Sequence, residues 1–315
     1  MSARSFLRDD DLSPVEQDEV LTLAAAMKAD RFGHRPLAGP RTVALLFDKP
    51  SLRTRVSFVV GVAELGGSAL IVNDTAAQFG RGEPIADVAR VLGRQCAAVV
   101  WRTHAQAGLT QMAAHAGVPV VNSLSELAHP CQLLADLLTV RERLGGTAGV
   151  TLAYLGDGSN NMATSYLLAG ATAGMHVRIA SPATHRPAAE VLEVAATIAA
   201  GTGGSVAWVQ DAAEGARDAD VVATDTWVSM GESDPGGTAL AALTPFAVTR
   251  ALLSGARPGA LVLHCLPAYR GREIEAEVID DPAGAVWDQA ENRLHAQKAL
   301  LSFLLRNPAP LRRSA

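Results

Sequence analysis

Short runs of aliphatic and β-branched residues alternate along the chain with longer stretches whose apolar positions recur every three or four residues. The short runs fall at residues 42–47, 69–72, 98–101, 118–121, 150–155, 177–180, 206–209, 221–223 and 260–263, all of strand length. Strands separated by helix-length segments are the mark of parallel sheets with crossover helices, so the pattern predicts an α/β fold. Gly145-Gly146-Thr147-Ala148-Gly149 interrupts the alternation after an amphipathic stretch carrying Leu133, Leu134, Leu137 and Leu138, and a strand begins directly behind it. This predicts two domains, residues 1–145 and 146–315, each a mostly parallel sheet flanked by helices, with the last helix able to pack back on the first domain.

Composition narrows the classes. Of 315 residues, 49% are hydrophobic and 19% charged, which supplies sizeable cores and argues against bulk disorder. Aromatics are only 4%, and 27 Lys+Arg against 32 Asp+Glu give −5, so neither base stacking nor a polyanion-attracting surface is indicated and no nucleic acid is expected. Three cysteines, Cys96, Cys131 and Cys265, stand far apart and outside any C-x-x-C spacing, which points to a reducing cytoplasm rather than a disulfide framework. The polar start and the lack of any apolar run of about 18 residues predict a chain that is neither exported nor membrane-spanning.

Chemistry concentrates where strands end. Phe47-Asp48-Lys49-Pro50-Ser51-Leu52-Arg53-Thr54-Arg55 leaves the first strand and enters a helix in which Val56, Val59, Val60 and Ala63 follow helical spacing. Free N–H groups, the positive dipole end, two hydroxyls and guanidinium forks gathered at a helix start suit a phosphate dianion; the plain alternative is a Ser-capped helix with solvated arginines. Arg102 closes a later strand, and His129-Pro130-Cys131-Gln132 opens a helix with His129 and Gln132 on one face. In the second half, Gly156-Asp157-Gly158-Ser159-Asn160-Asn161 is a strand-to-helix turn that resembles a dinucleotide fingerprint but offers Asn161 in place of the third glycine and no ribose-reading carboxylate after the next strand. Asp225-Thr226-Trp227-Val228-Ser229-Met230-Gly231 reads as a loop carrying an ammonium-binding acid, and His264-Cys265-Leu266-Pro267 puts a thiol at a strand end. No metal is expected, because neither His264-Cys265 nor the His129/Cys131 pair has further ligands beside it in the sequence.

These motifs, with Glu291-Asn292-Arg293, stand in the order and spacing of the ornithine carbamoyltransferases, which the chain resembles over essentially its whole length. The resemblance implies a carbamoyl phosphate domain, an ornithine domain, no cofactor, and a homotrimer or multiple of trimers. It assigns carbamoyl phosphate to Ser51, Leu52, Arg53, Thr54, Gln78 (from a neighbouring subunit), Arg102, His129, Gln132, Cys265, Leu266 and Arg293, and ornithine to Asn161, Asp225, Ser229 and Met230. It implies attack by the neutral δ-amine on the carbamoyl carbon, with Arg102 and His129 stabilising the oxyanion and either Cys265 or the substrate phosphate taking the proton. Leu52 replaces the more usual Thr, a feature that also resembles the N-acetylornithine branch, and Gly82 stands where related chains tend to carry an acid. The alternatives are therefore a carbamoyltransferase for N-acetylornithine or another diamino substrate and, more distantly, an NAD-dependent oxidoreductase built on the Gly156 turn.

Overall fold

The structure, a computed structural model, describes residues 3–73, 82–228 and 237–307, and the chain divides into two compact units. Unit 1 comprises Met1–Ala135 with Arg293–Ala315, and unit 2 comprises Asp136–Asn292.

Unit 1 runs α1 (Pro14–Ala29), β1 (Thr42–Phe47), α2 (Arg53–Glu64), β2 (Ser68–Asn73), α3 (Ile85–Gln95), β3 (Ala98–Arg102), α4 (Gln106–Ala116) and β4 (Val120–Leu124). Its four strands pair in parallel in the order β2-β1-β3-β4. Central β1 and β3 are covered on both faces, which is why they read as unbroken apolar runs. Edge strand β2 instead leaves Leu70 and Ile71 exposed.

Unit 2 takes up α5 (Pro130–Leu144) from Asp136 onward, then β5 (Thr151–Leu155), α6 (Asn161–Thr172), β6 (His176–Ala180), α7 (Ala189–Thr202), β7 (Ser205–Val209), α8 (Ala212–Ala216), β8 (Val221–Thr224), the short α9 (Thr238–Leu243) and α10 (Arg250–Leu253), β9 (Leu261–His264) and α11 (Ala276–Ile279). Its five strands are all parallel, in the order β7-β6-β5-β8-β9. The final helix, α12 (Val286–Arg306), belongs to unit 2 through Asn292 and to unit 1 from Arg293 onward.

All nine expected strands are present, with two corrections in unit 1. The fourth begins two residues later than the apolar run 118–121 suggests and continues through Asn122, Ser123 and Leu124. Buried Asn122 is acceptable in a central position because its amide donates to the Leu7 carbonyl at 2.9 Å and to Ser125 Oγ at 3.1 Å. In α2, the stripe that sequence spacing marks as apolar is not the buried one. Thr54, Ser57, Phe58, Gly61 and Val62 face inward, whereas Val56 is 52% exposed. Alongside Phe58 and Val62 the inward face carries the small or polar Thr54, Ser57 and Gly61, and α12 packs against Gly61: a Cβ there would stand 3.2 Å from Lys298 Cγ and 3.4 Å from Leu294 Cδ1. Lys298, fully buried, is satisfied by Glu64 Oε2 at 2.8 Å and the Arg31 carbonyl at 2.6 Å. Burial pushes the Glu64 carboxyl up, but the bonds from Lys298 and Arg31 outweigh it and hold the group below its ordinary range.

Candidate active site

In an open parallel sheet, ligands gather beyond the carboxyl ends of the strands where the strand order reverses. Unit 1 reverses between β1 and β3, unit 2 between β5 and β8. Ser51–Thr54 follow β1 and Arg102 ends β3; Gly156–Asn161 follow β5 and Asp225 follows β8. Sequence-predicted residues thus occupy both switch points.

In unit 1 the helix start after β1 carries no side-chain cap: Leu52 holds the capping position and is 73% exposed, so the Ser-capped alternative does not hold. The first N–H groups of α2 are left to an incoming acceptor. Arg53 is half-buried and Thr54 buried beside it. Arg55 turns elsewhere, its Nη2 donating to Asn73 Oδ1 at 2.7 Å and its guanidinium lying 4.9 Å from the Phe47 ring centroid. Arg102, His129, Gln132 and Arg293 are all buried. Arg293 Nη1 donates to Gln132 Oε1 at 2.6 Å and Nη2 to Thr54 Oγ1 at 3.1 Å, which ties the last helix to the first turns of α5 and α2. Burial, reinforced by the charges of Arg293, Arg102 and Arg53, holds His129 well below the ordinary imidazole range, so it is neutral near pH 7. Three guanidiniums whose charges act on an uncharged imidazole are an arrangement suited to an anion. Cys131 takes no part: burial pushes its thiol up to about 12, and it donates to the Asn122 carbonyl at 3.3 Å.

Unit 2 is built with the opposite charge. Cys265, one residue beyond β9, donates its S–H to Asp225 Oδ1 at 2.9 Å. Asp225 is half-buried, and desolvation pushes its carboxyl above the ordinary range despite His264, the Cys265 thiol and the Thr226 N–H. The strand end is held from beneath. The Leu266 N–H donates to His264 Nδ1 at 2.9 Å, which puts the imidazole proton on Nε2, 3.2 Å from Glu273 Oε1. Leu266 adopts φ 58°, a left-handed conformation that costs a branched residue about 1–2 kcal/mol. The His264 N–H donates to Gln289 Oε1 at 2.9 Å, and Gln289 in turn donates to Asp136 Oδ1 at 2.7 Å.

Sequence spacing did not foresee that Asp225 joins His264 and Cys265, with ligand-type atoms within 4.8 Å of one another. The hydrogen bonds just described already engage those atoms, which accounts for the grouping without an ion. Asn161 opens α6, and its neighbour Asn160 caps the helix, accepting from the Ala163 N–H at 2.9 Å and donating to the Tyr154 hydroxyl at 2.9 Å. The turn does not suit a dinucleotide. A Cβ on Gly158 would lie 2.5 Å from Ser181 Oγ and 2.6 Å from the His185 carbonyl, so the segment after β6 already covers the backbone a pyrophosphate would approach.

Gln78, Ser229 and Met230 lie outside the described residues. Residues the sequence reading passed over are Gln289, Asp136 and Glu273 beneath the Cys265 strand end, and Gln297 beside Arg293. Gln297 follows Arg293 by one helical turn, a spacing that is visible in the sequence but carries no signal by itself. Among the described residues no helix is long and apolar enough to cross a membrane.

Two family models match: the carbamoyl-P binding domain of aspartate/ornithine carbamoyltransferase over residues 4–142, and its Asp/Orn binding domain over 148–304. The ornithine carbamoyltransferase of Clavibacter sepedonicus is 60% identical over 303 residues, 96% of this chain and 99% of the relative. Among solved structures, ornithine carbamoyltransferase from Pyrococcus furiosus superposes with a TM-score of 0.93 at 42% identity, covering 97% of this chain and 98% of that one. An N-acetyl-L-ornithine transcarbamylase is also similar, at TM-score 0.85 and 29% identity, over 95% and 99% of the two chains.

Proposed function

The chain belongs to the aspartate/ornithine carbamoyltransferase family, and on that premise we propose a reading of its two half-sites. The protein is a carbamoyltransferase that moves the carbamoyl group of carbamoyl phosphate to the δ-amine of L-ornithine, giving L-citrulline and phosphate. The observation that carries the reading is the hydrogen-bonded group of Arg293, Gln132 and Thr54 at the uncapped start of α2, with Arg102 and His129 buried in the same unit.

Residues 1–145 bind carbamoyl phosphate. The phosphate takes the helix start of α2 through Ser51, the Leu52 backbone, Arg53 and Thr54, with Arg102, and with Gln78 from a neighbouring subunit. His129, Gln132 and Arg293 hold the carbamoyl group, joined by Cys265 and the Leu266 carbonyl. Residues 146–315 bind ornithine, Asp225 taking the α-ammonium and Asn161 the α-carboxylate, with Ser229 and Met230 as further ornithine-binding residues. The δ-nitrogen lone pair attacks the carbamoyl carbon, the carbonyl oxygen becomes an oxyanion held by Arg102 and the His129 N–H, and the C–O bond to phosphate then breaks, the electron pair leaving with phosphate. The amine proton passes to Cys265 or to the departing phosphate. In this structure the thiol is itself a donor to Asp225, so accepting a proton requires that it first be ionised, which favours phosphate.

We further propose that the enzyme works in the cytoplasm, in arginine biosynthesis or the reverse catabolic route, and that it associates as a trimer or multiple of trimers. The association is supported by the outward stripe of α2, where Val59, Val60 and Ala63 with Phe32 line an open depression of about 400 Å³ beside exposed Val56. Sedimentation of a fully active monomer would overturn it. For the reaction, the protein is incubated with carbamoyl phosphate and either ornithine or N-acetylornithine, and the carbamoylated product is measured. Citrulline formation far ahead of the acetylated product is expected, because the Asp225 carboxylate loses its partner when the α-amine is acylated. The reverse preference would make Leu52 the better guide.

A further inference from the structure

Oriented so that both ends of its amide find partners, Gln297 accepts from Arg293 Nε and Nη2 at 3.0 Å each and donates to Ser57 Oγ at 2.7 Å. Ser57 Oγ donates onward to the Thr54 carbonyl at 3.2 Å, while Thr54 Oγ1 accepts from the same Arg293 at 3.1 Å. The result is a closed ring of bonds through α12 and the first turn of α2, with Gln132 of α5 attached through Arg293 Nη1. A guanidinium has its donors in one plane, so two N–H groups sharing one oxygen fix the orientation of that plane. Gln297, Ser57 and Thr54 are all buried, which leaves the ring little freedom.

We propose that Gln297 is a positioning residue for the carbamoyl phosphate half-site, its neutral amide oxygen fixing the plane of the Arg293 guanidinium without itself drawing on the charge that a substrate anion uses. The proposal rests on the reading of that half-site given above. Gln132, Thr54 and Gln297 each offer Arg293 the oxygen of a neutral group. A carboxylate at position 297 would keep an acceptor on Arg293 but form an ion pair with it, Ser57 Oγ turning from the Thr54 carbonyl to donate to the second carboxylate oxygen, and an apolar side chain of the same length would keep the charge but lose the acceptor that fixes the plane. The two substitutions therefore separate orientation from charge.

His129 supplies a second readout. The charged groups acting on it are Arg293 of α12, Arg102 of β3 and Arg53 of α2, all of which disfavour its protonation. Pairing Arg293 with a carboxylate weakens one of the three, so the acid limb of the pH profile moves upward.

The test compares wild type, Gln297→Glu and Gln297→Met. Binding of carbamoyl phosphate and of inorganic phosphate is measured by calorimetry, and citrulline formation is followed from pH 5.5 to 9 as a function of each substrate. Gln297→Glu is expected to weaken carbamoyl phosphate binding about tenfold or more and to raise the acid limb of kcat/KM. Gln297→Met is expected to weaken it roughly three- to tenfold with the pH profile unmoved. KM for ornithine should change little in either. Wild-type affinity and profile in Gln297→Glu, or wild-type kinetics in Gln297→Met, would overturn the assignment. A wild-type protein that binds no carbamoyl phosphate would overturn the half-site reading itself, and the calorimetry reports that separately from the variants.

Discussion

Both units place a helix start at the switch point of a parallel sheet, yet the two starts are finished differently. In unit 1, α2 begins uncapped behind an exposed leucine, with buried or half-buried arginines around it. In unit 2, α6 is capped by Asn160, and the turn before it is covered by Ser181 and the His185 carbonyl. The open start leaves N–H groups for an anion; the closed start gives one of them to Asn160 and leaves the Asn161 side chain for the proposed α-carboxylate, while the acid of unit 2 stands at the ends of β8 and β9, where Asp225 meets Cys265. Topology tells where a ligand sits, and local capping tells whether backbone N–H groups are there to receive it.

The contrast can be broken most sharply at the cations. Arg53→Ala and Arg102→Ala each remove a charge-assisted contact worth about 1.5–3 kcal/mol, so carbamoyl phosphate affinity should fall roughly ten- to a hundredfold while ornithine binding and the folded state persist. Near-normal kcat/KM for carbamoyl phosphate in either variant would remove the arginines from the anion site. On the opposite side, Asp225→Asn should lower kcat/KM for ornithine about tenfold and collapse the preference over N-acetylornithine. An unchanged ratio of the two substrates would place the amine elsewhere.

A smaller effect is expected at the thiol. Cys265→Ser should depress kcat severalfold and shift its pH profile, with carbamoyl phosphate affinity nearly intact. An unmoved profile would leave the substrate phosphate as sole proton acceptor.

The smallest effect is on stability, and its sign differs between the units. Folding depresses the His129 pKa, so below the ordinary imidazole value of about 6.5 the unfolded chain binds a proton that the folded one refuses, and stability falls as pH drops. Folding raises the Asp225 pKa, so the folded state holds that proton more tightly and gains stability as pH drops through the raised value. Urea midpoints of the ligand-free protein between pH 4 and 7 should therefore decline less steeply with acid in His129→Asn and more steeply in Asp225→Asn. Identical slopes in all three proteins would remove both groups from the titration.

Strand positions were legible in the sequence because buried parallel strands write themselves as short apolar runs, and the site motifs were legible because their residues are local to strand ends. What failed was information carried by distant partners. The inward face of α2 mixes Phe58 and Val62 with Thr54, Ser57 and Gly61, the last three meeting α12 some 230 residues later, so the spacing rule selected the wrong stripe. Strand β4 carries buried Asn122, whose amide nitrogen is engaged by the Leu7 carbonyl and Ser125 Oγ. Gln297, Gln289 and Asp136 look like ordinary helix polar residues until their partners are in view.

The return of α12 also constrains how the protein is made. Residues from Arg293 onward complete unit 1, yet a ribosome finishes Leu144 about 150 residues before it reaches them. At roughly 5–20 residues per second, the first unit waits about 8–30 s with Gly61 uncovered and Glu64 lacking its lysine. Unit 2, contiguous from Asp136 to Asn292, has its whole sequence available before that wait is over. The anion half-site, first in the chain, is therefore the later of the two to be finished, and a nascent chain stalled or cut short before Arg293 cannot capture the reactive carbamoyl donor in a well-formed pocket.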